Sequence, residues 1–371
     1  MKILCLHQGS ELYGSDRSFI SSLQAIKKIY PDAELTVFIP KKGPIVPELE
    51  KVADKLLIED IGTLARNDFK NPLSTIGRIF RGTRKAIRQA QDYDLVYINT
   101  MVVISHILAA RFTGKKTVVH VREIPNRYES LLFSTFLRFS NANIIFNSFN
   151  TRKAFYFQLD HKSAVIHNAI EGFNKNGTAT PYPVKFLVIG RITEGKGQML
   201  LAQTILQLPP GYRSKLKVRF VGDVPARIPL YAEKVRRFIT DNGLSDTIEM
   251  HPFSKTPEEH YQWANVTVIP SIKPESFGRV AIEAMSIGQP VIASNLGGLT
   301  EIIADGVDGM LFTPGSHASL AEKIIELIDN QYIIEEMGRA AEKKFHEKFT
   351  IIAYENQLRH YFNIILHEKS R

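Results

Sequence analysis

The chain's 371 residues are too many for one ordinary core, and a composition of 44% hydrophobic and 23% charged residues excludes a disordered or fibrous protein. One cysteine excludes an internal disulfide and suits a reducing compartment, and no apolar run approaches the roughly 18 residues of a membrane span. The net charge of +9 is uneven, with 25 Lys and Arg against 16 Asp and Glu in residues 1–180 and 22 of each in 181–371, so the first half is expected to face something anionic.

In chain order, KILCLH (2–7), ELTVFIP (34–40), DKLLIED (54–60), DLVYINT (94–100), KTVVHVRE (116–123), NIIFNS (143–148) and SAVIHN (163–168) read as strands. Residues 15–29, 72–90 and 129–140 read as helices between them, and Cys5 falls in the first strand as a buried thiol. Such alternation predicts a parallel sheet covered on both faces. Asn, Gly, Thr and Pro then take over in IEGFNKNGTATPYPV (170–184), which reads as a linker. Beyond it the alternation restarts with KFLVIG, LKVRFVG, TIEMHPF, VTVIPS, PVIASN and GMLFTP.

The expected domains are 1–170, a linker over 171–184, a second domain over 185–348, and a terminal helix over 349–371. That helix carries Phe349, Ile352, Tyr354, Leu358, Tyr361, Phe362 and Ile365 at helical spacing, a stripe expected to pack back on the first domain. The fold class is therefore α/β: two Rossmann-like, doubly wound domains with ligands beyond the carboxyl ends of the strands, and, if the domains are facing a central cleft, with the ligand in that cleft. A first apolar run too brief for a secretory leader makes a cytoplasmic location the expectation.

Several short segments could carry chemistry. In QGSELYGSDRS (8–18), Gly14 permits a close approach to a ligand or a tight turn, and Ser15 or Asp16 suits a helix cap. Arg78, Arg81, Lys85 and Arg88 share one face of the 72–90 helix, while Leu73, Ile76, Phe80 and Ile87 offer apolar area on another. Two readings stand for this helix: a contact with anionic membrane, or a solvated cover of the sheet. Few aromatics interleave the charges, which argues against nucleic acid. DYD (92–94) precedes a strand, the wrong end of a sheet for a ligand, and reads as a solvated turn. His120 closes an apolar strand, either as a structural histidine or as a site residue. No His, Cys, Asp and Glu cluster has metal-ligand spacing.

In the second half, GRITEGKGQ (190–198) places Arg191 and Lys196 beside a strand-to-helix loop, where cations reach an anionic ligand cradled by backbone amides. PESFGRVAIE (274–283) places Glu275 before, and Glu283 within, a helix read over FGRVAIEAMSIG (277–288). Eight residues of helix would span about 12 Å, too far for a glycosidase pair. The two carboxylates are then either two grips on one long ligand or two solvated charges. SNLGGLTE (294–301) puts glycines between strand and helix, with Glu301 near the helix start.

The stretch SIKPESFGRVAIEAMSIGQPVIASNLGGLTEIIADGVDGMLFTPG (271–315) resembles the retaining GT-B glycosyltransferases of family four, the glycosyl transferases group 1. Glu275 and Glu283 match that family's Glu-x7-Glu element, and GRITEGKG is similar to its Arg/Lys phosphate loop. VIHNAIE (165–171) is similar to its linker segment. YGSDRS (13–18) is similar to its first glycine loop, with Ser15 where a second glycine is common.

The resemblance implies a nucleotide-diphosphate sugar, UDP- or GDP-linked, as substrate, with no cofactor and no metal. It implies that Glu283 binds the ribose hydroxyls, that Glu275 lies by the sugar hydroxyls, and that the backbone of Phe277, Gly278, Arg279 and Val280 contacts sugar and diphosphate. Arg191 and Lys196 would neutralise the leaving diphosphate in place of a divalent metal. His120 would lie near the donor sugar and Gly14 near the phosphates. The implied reaction is hexosyl transfer with retention, by front-face attack, to a glycan or lipid-linked acceptor in cell-surface polysaccharide assembly. It would take place at the inner face of the cytoplasmic membrane, in a cleft that closes to exclude water. A phosphorylase, a nucleotide-sugar epimerase and a non-catalytic sugar-nucleotide module are the competing readings.

Overall fold

The computed structural model describes residues 1–64, 68, 71–156, 162–174, 182–224 and 229–367. The chain divides into two compact units, unit 1 of Met1–Ala169 with Ile351–Arg371, and unit 2 of Ile170–Thr350.

Unit 1 runs β1 (Lys2–His7), α1 (Gly14–Ile29), β2 (Glu34–Ile39), α2 (Val46–Glu50), β3 (Lys55–Ile58), α3 (Pro72–Ala90) and β4 (Leu95–Asn99). It continues with α4 (Ile104–Thr113), β5 (Lys116–Val121), α5 (Arg127–Ser140), β6 (Asn143–Phe146), α6 (Phe149–Lys153) and β7 (Ser163–Val165). Among the described residues its strands form one parallel sheet in the order β3-β2-β1-β4-β5-β6-β7. Alternation along β1 shows how both faces are covered. Ile3 and Cys5 join Phe19 and Leu23 of α1, whereas Leu4 and Leu6 join Ile104 and Ile107 of α4 and Phe133 of α5. The last helix, α14 (Ile351–His367), belongs to the first of these cores through Tyr354, Leu358, Phe362 and Ile365. Its Tyr354 hydroxyl meets Ser22 Oγ of α1 at 2.7 Å, and its Tyr361 hydroxyl donates to the Ile144 carbonyl at 3.0 Å. Burying each such large side chain contributes about 1.5–3 kcal/mol.

Unit 2 runs β8 (Val184–Ile189), α7 (Gln198–Gln207), β9 (Leu216–Val221), α8 (Pro229–Asp241), β10 (Ile248–His251), α9 (Glu258–Trp263) and β11 (Val266–Ile269). It ends with α10 (Arg279–Met285), β12 (Val291–Ser294), α11 (Leu299–Ile302), β13 (Gly309–Phe312), α12 (His317–Asp329) and α13 (Tyr332–Lys348). Its parallel sheet is ordered β10-β9-β8-β11-β12-β13 among the described residues, with the chain reversing direction of progress between β8 and β11. In both units the first strand has a neighbour from each half of the unit, the doubly wound arrangement expected from the repeated strand–loop–helix openings.

Three expectations need correction. The linker does not begin at residue 171: the Phe173 ring packs 5.3 Å from Tyr261 and its N–H donates to Ser286 Oγ, so 170–174 are part of unit 2. Residues 175–181 of that linker, and 368–371 of the terminal helix, lie outside the described residues. Phe349 stacks edge-on against Phe277 in unit 2, ahead of α14, and Ile352 points outward at 69% exposure because it falls off the α14 stripe. The helix read over 277–288 spans only Arg279–Met285, because Glu275 pairs with Gly297 in a β-bridge and Gly278 adopts φ +120°. The eight-residue helical span between the two glutamates is therefore not present.

Candidate active site

In unit 2 the switch between β8 and β11 sets two loops side by side beyond the strand ends. The Ile272 N–H donates to the Gly195 carbonyl at 3.0 Å and ties them together. The first loop ends in a 3-10 turn, Glu194–Lys196, and the second carries Ser271 and Glu275. Lys196 Nζ lies 2.6 Å from Glu275 Oε1, which also accepts from Ser271 Oγ at 2.7 Å. Burial pushes the Glu275 carboxyl up, but Lys196, Ser271 and the nearby charge of Arg191 outweigh it and hold the pKa below the ordinary 4.5. Glu275 is thus an ionised acceptor, unsuited to give up a proton at neutral pH.

The second glutamate sits on α10. Glu283, 9% exposed, accepts from the Tyr261 hydroxyl and from Arg279 Nε, each at 2.8 Å. Burial, with the adjacent carboxylate, drives the Tyr261 hydroxyl well above its ordinary pKa, so it remains a donor. Arg279 Nη1 is buried without a hydrogen-bond partner among the described residues. The α10 entry is fixed by Gly278: beyond its positive φ, a Cβ there would stand 2.6 Å from Leu299 Cδ2. Phe277 is buried beside Leu299 in the same core, and Val280 is half-buried. Arg191, Lys196, Glu275, Phe277, Gly278, Arg279, Val280 and Glu283 therefore all belong to the two loops and the helix that follows them. Glu301 lies in the first turn of α11.

Unit 1 has its own polar cluster at the carboxyl ends of its strands. His120 is fully buried, with Nδ1 2.7 Å from the Tyr97 hydroxyl and 3.2 Å from Arg122 Nη2. A guanidinium only donates, so Nδ1 accepts and the ring proton of the neutral imidazole lies on Nε2. Burial first, and then the Arg122 charge, hold the His120 pKa well below 6.5, which keeps that tautomer. Nε2 is buried and has no hydrogen-bond partner among the described residues.

Arg122 itself is 5% exposed and bonds neutral groups: Nε to Asn99 Oδ1 at 2.6 Å, Nη1 to Asn168 Oδ1, and Nη2 to Ser22 Oγ at 2.8 Å. At the end of β1, two strands away, His7 Nε2 meets Asp16 Oδ1 at 2.7 Å, and Asp16 Oδ2 accepts from the Tyr13 N–H at 3.0 Å, capping α1. Gly14 does not make the tight turn. Leu12 does, with φ 65°, and a Cβ on Gly14 would meet no protein atom within 4 Å. Asp94 of DYD binds the Lys2 N–H at 2.7 Å, at the amino end of the sheet.

Sequence reading missed Arg122, Asn99, Asn168 and His7. The available signal was that a polar residue follows each apolar run, in CLH, YIN, HVR and VIHN.

The Asp16 carboxyl is pushed up by burial, but the bond from His7 and the Tyr13 and Glu11 amides together hold it below its ordinary 3.8. A carboxyl with a depressed folded pKa stabilises fully above its unfolded value and loses that contribution as pH falls through the lower folded one. Asp16→Asn should therefore cost about 2 kcal/mol in urea unfolding at pH 6. The gap should narrow as pH drops below about 4, and an unchanged gap would make the loss one of packing alone.

Residues 172–344 match the family model described as glycosyl transferases group 1. This segment is similar to a group 1 domain. Over 250 residues the chain is 29% identical to an uncharacterised glycosyltransferase of Methanocaldococcus jannaschii, covering 67% of this chain and 65% of that one. It is 39% identical over 109 residues to the D-inositol 3-phosphate glycosyltransferase of Paenarthrobacter aurescens, covering 29% of this chain and 26% of the relative. The chain thus spans less than two thirds of these relatives' own length.

Among solved structures, Anabaena HepE in complex with UDP superposes with a TM-score of 0.81 at 23% identity, covering 98% of this chain and 100% of that one. Sucrose-phosphate synthase from Thermosynechococcus elongatus does so with 0.77 at 18%, covering all of both chains. The fold around this segment is the pair of Rossmann-like, parallel-sheet units of the GT-B glycosyltransferases.

Proposed function

We propose that this chain is a retaining, metal-independent glycosyltransferase that moves a hexose from a nucleotide-diphosphate sugar to a glycan or lipid-linked acceptor in cell-surface polysaccharide assembly. The observation that carries the reading is the Lys196–Glu275 pair beyond the β8–β11 switch of a segment similar to a group 1 domain, with Glu283 anchored further along α10. A UDP-linked donor is favoured over a GDP-linked one because HepE, which shares the fold, was crystallised with UDP and with UDP-glucose.

In this reading Glu283 accepts from the ribose hydroxyls and Glu275, held ionised, accepts from the sugar hydroxyls. The backbone from Phe277 to Val280 lies along the sugar and diphosphate, and Gly14 leaves room for the phosphates. His120 offers an Nε2–H with no acceptor among the described residues, the form that binds a sugar oxygen. The anomeric C–O bond to the diphosphate breaks as the acceptor oxygen bonds to the same face. The acceptor's proton passes to the departing phosphate oxygen, whose growing charge Arg191 and Lys196 neutralise. An ionised Glu275 paired to a lysine gives no support to general-acid chemistry at that residue.

The test is binding and slow hydrolysis across a panel of UDP-, GDP- and ADP-sugars, with and without divalent metal. One donor is expected to bind equally in both conditions, and Glu283→Ala to weaken it by about 10- to 100-fold. Isomerisation of the bound sugar without any acceptor would favour an epimerase. No binding by any member would sink the donor reading.

A further inference from the structure

The helices α3, α4 and α5 cover one face of the unit 1 sheet, and together they carry eight Arg and Lys against one acidic residue, Glu129. The layer on the opposite face has no such imbalance: α1 has three cations and one Asp, and α14 has Arg359 against Glu355.

Helix α3 has two differently used faces. Ile79, Ala86 and Ala90 pack inward on the sheet-side core. Leu73, Ile76 and Phe80, at i, i+3 and i+7, point outward with 86%, 63% and 60% exposure. Arg84 continues that stripe, its guanidinium 5.0 Å over the Phe80 ring. Two of the cations expected on the basic face are already matched, Arg78 by Asp68 and Lys85 by Glu59. Arg81, Arg84 and Arg88 are exposed and form no ion pair among the described residues. The neighbouring helices extend the same character, since Phe112 of α4 and Phe139 of α5 lie half-exposed with ring centroids 6.0 Å apart.

We infer that the outer face of the α3–α4–α5 layer docks on an anionic lipid bilayer, with Leu73, Ile76 and Phe80 entering the interface and the arginines beside them meeting phosphate headgroups. A polyanion alone, such as nucleic acid, would satisfy the arginines but leave the apolar stripe in water. A neutral apolar partner would leave the arginines uncompensated. A bilayer with acidic headgroups offers both phases at the spacing of one helix lying flat. Among the described residues no helix is long and apolar enough to cross a membrane. The inference is independent of the catalytic reading.

The experiment is co-sedimentation of the full chain with vesicles of phosphatidylglycerol and phosphatidylcholine, against phosphatidylcholine alone. The chain is expected to partition to the anionic vesicles and to be released as salt rises past about 0.5 M. R81Q/R84Q/R88Q should weaken partitioning by about fivefold per arginine, roughly a hundredfold in all. I76S/F80S, on side chains that hold no part of the core, should weaken it by about tenfold or more. A parent that ignores anionic vesicles overturns the inference. So does an I76S/F80S variant that binds them like the parent while both bind heparin equally well, which would assign the face to a soluble polyanion.

Discussion

Lys196→Ala is expected to lower turnover of the bound nucleotide sugar by about 100- to 1,000-fold while leaving the unfolding midpoint nearly unchanged. The asymmetry follows from where Lys196 sits. Its pairing with Glu275 at 2.6 Å is partly open to solvent, with the two side chains 29% and 20% exposed, so little stability rests on it. In the proposed reaction a fixed ammonium beside the departing diphosphate would act instead on charge that grows only as the anomeric bond breaks. Arg191→Ala should show a smaller loss of the same kind.

The variant also removes the main influence that keeps the Glu275 carboxyl low, leaving burial to push it up. The acid limb of the kcat/KM profile should therefore move to higher pH in Lys196→Ala. Adding Glu275→Gln to Lys196→Ala should cost far less than the single Glu275→Gln, because the two groups act as one unit. Near-normal turnover in Lys196→Ala would remove its leaving-group role.

The second large effect is expected on stability. Arg122→Ala should destabilise unit 1 by about 4 kcal/mol, a loss at the high end for one substitution. The guanidinium is buried and serves Asn99, Asn168, Ser22 and the His120 ring at once. Truncation leaves these groups buried without their donor, at about 1–3 kcal/mol each, offset in part by no longer burying a charge. Arg122→Lys keeps the charge but not the planar fork and should lose about half as much.

The measurement has an internal control. The chain's one tryptophan, Trp263, lies on α9 of unit 2, under the Arg219 guanidinium at 4.0 Å. Far-ultraviolet circular dichroism should show an early transition in Arg122→Ala that tryptophan fluorescence does not follow. A midpoint unmoved by both probes would mean that the cluster relaxes around the missing side chain.

Both predictions bear on what could be read before the structure. The two sheets, and the strand-to-helix loops that carry Arg191, Lys196 and Glu275, were legible because each rests on local patterning. A strand is a Val- and Ile-rich run, and a phosphate-type loop is a short segment with glycine and cations. The Arg122 cluster was not legible, because its members are drawn from β4, β5, α1 and the segment after β7 and meet only through the register of the sheet. The same limit explains the misread helix around Glu283: the residues of 275–278 have helical neighbours in sequence, but the bridge to Gly297 claims them. Helix α4 went unread because it is buried on most sides, with Ile104, His106, Ile107 and Ala109 all inside, and so shows little amphipathic period.

The closing of unit 1 by α14 has a consequence for how the protein is made. Unit 2 is continuous in the chain, from Ile170 to Thr350, and all of its strands and helices are available before the last helix is synthesised. Unit 1 begins first but finishes last, since Leu358, Phe362 and Ile365 complete the core that Phe19 and Leu23 open. A nascent chain therefore carries an α1 face that waits, through the synthesis of some 180 residues of unit 2, for a helix still to come. Translation reverses the usual rule that the N-terminal part is settled first. A chain released after Thr350 should carry a folded C-terminal unit attached to an N-terminal one that chaperones still recognise as unfinished.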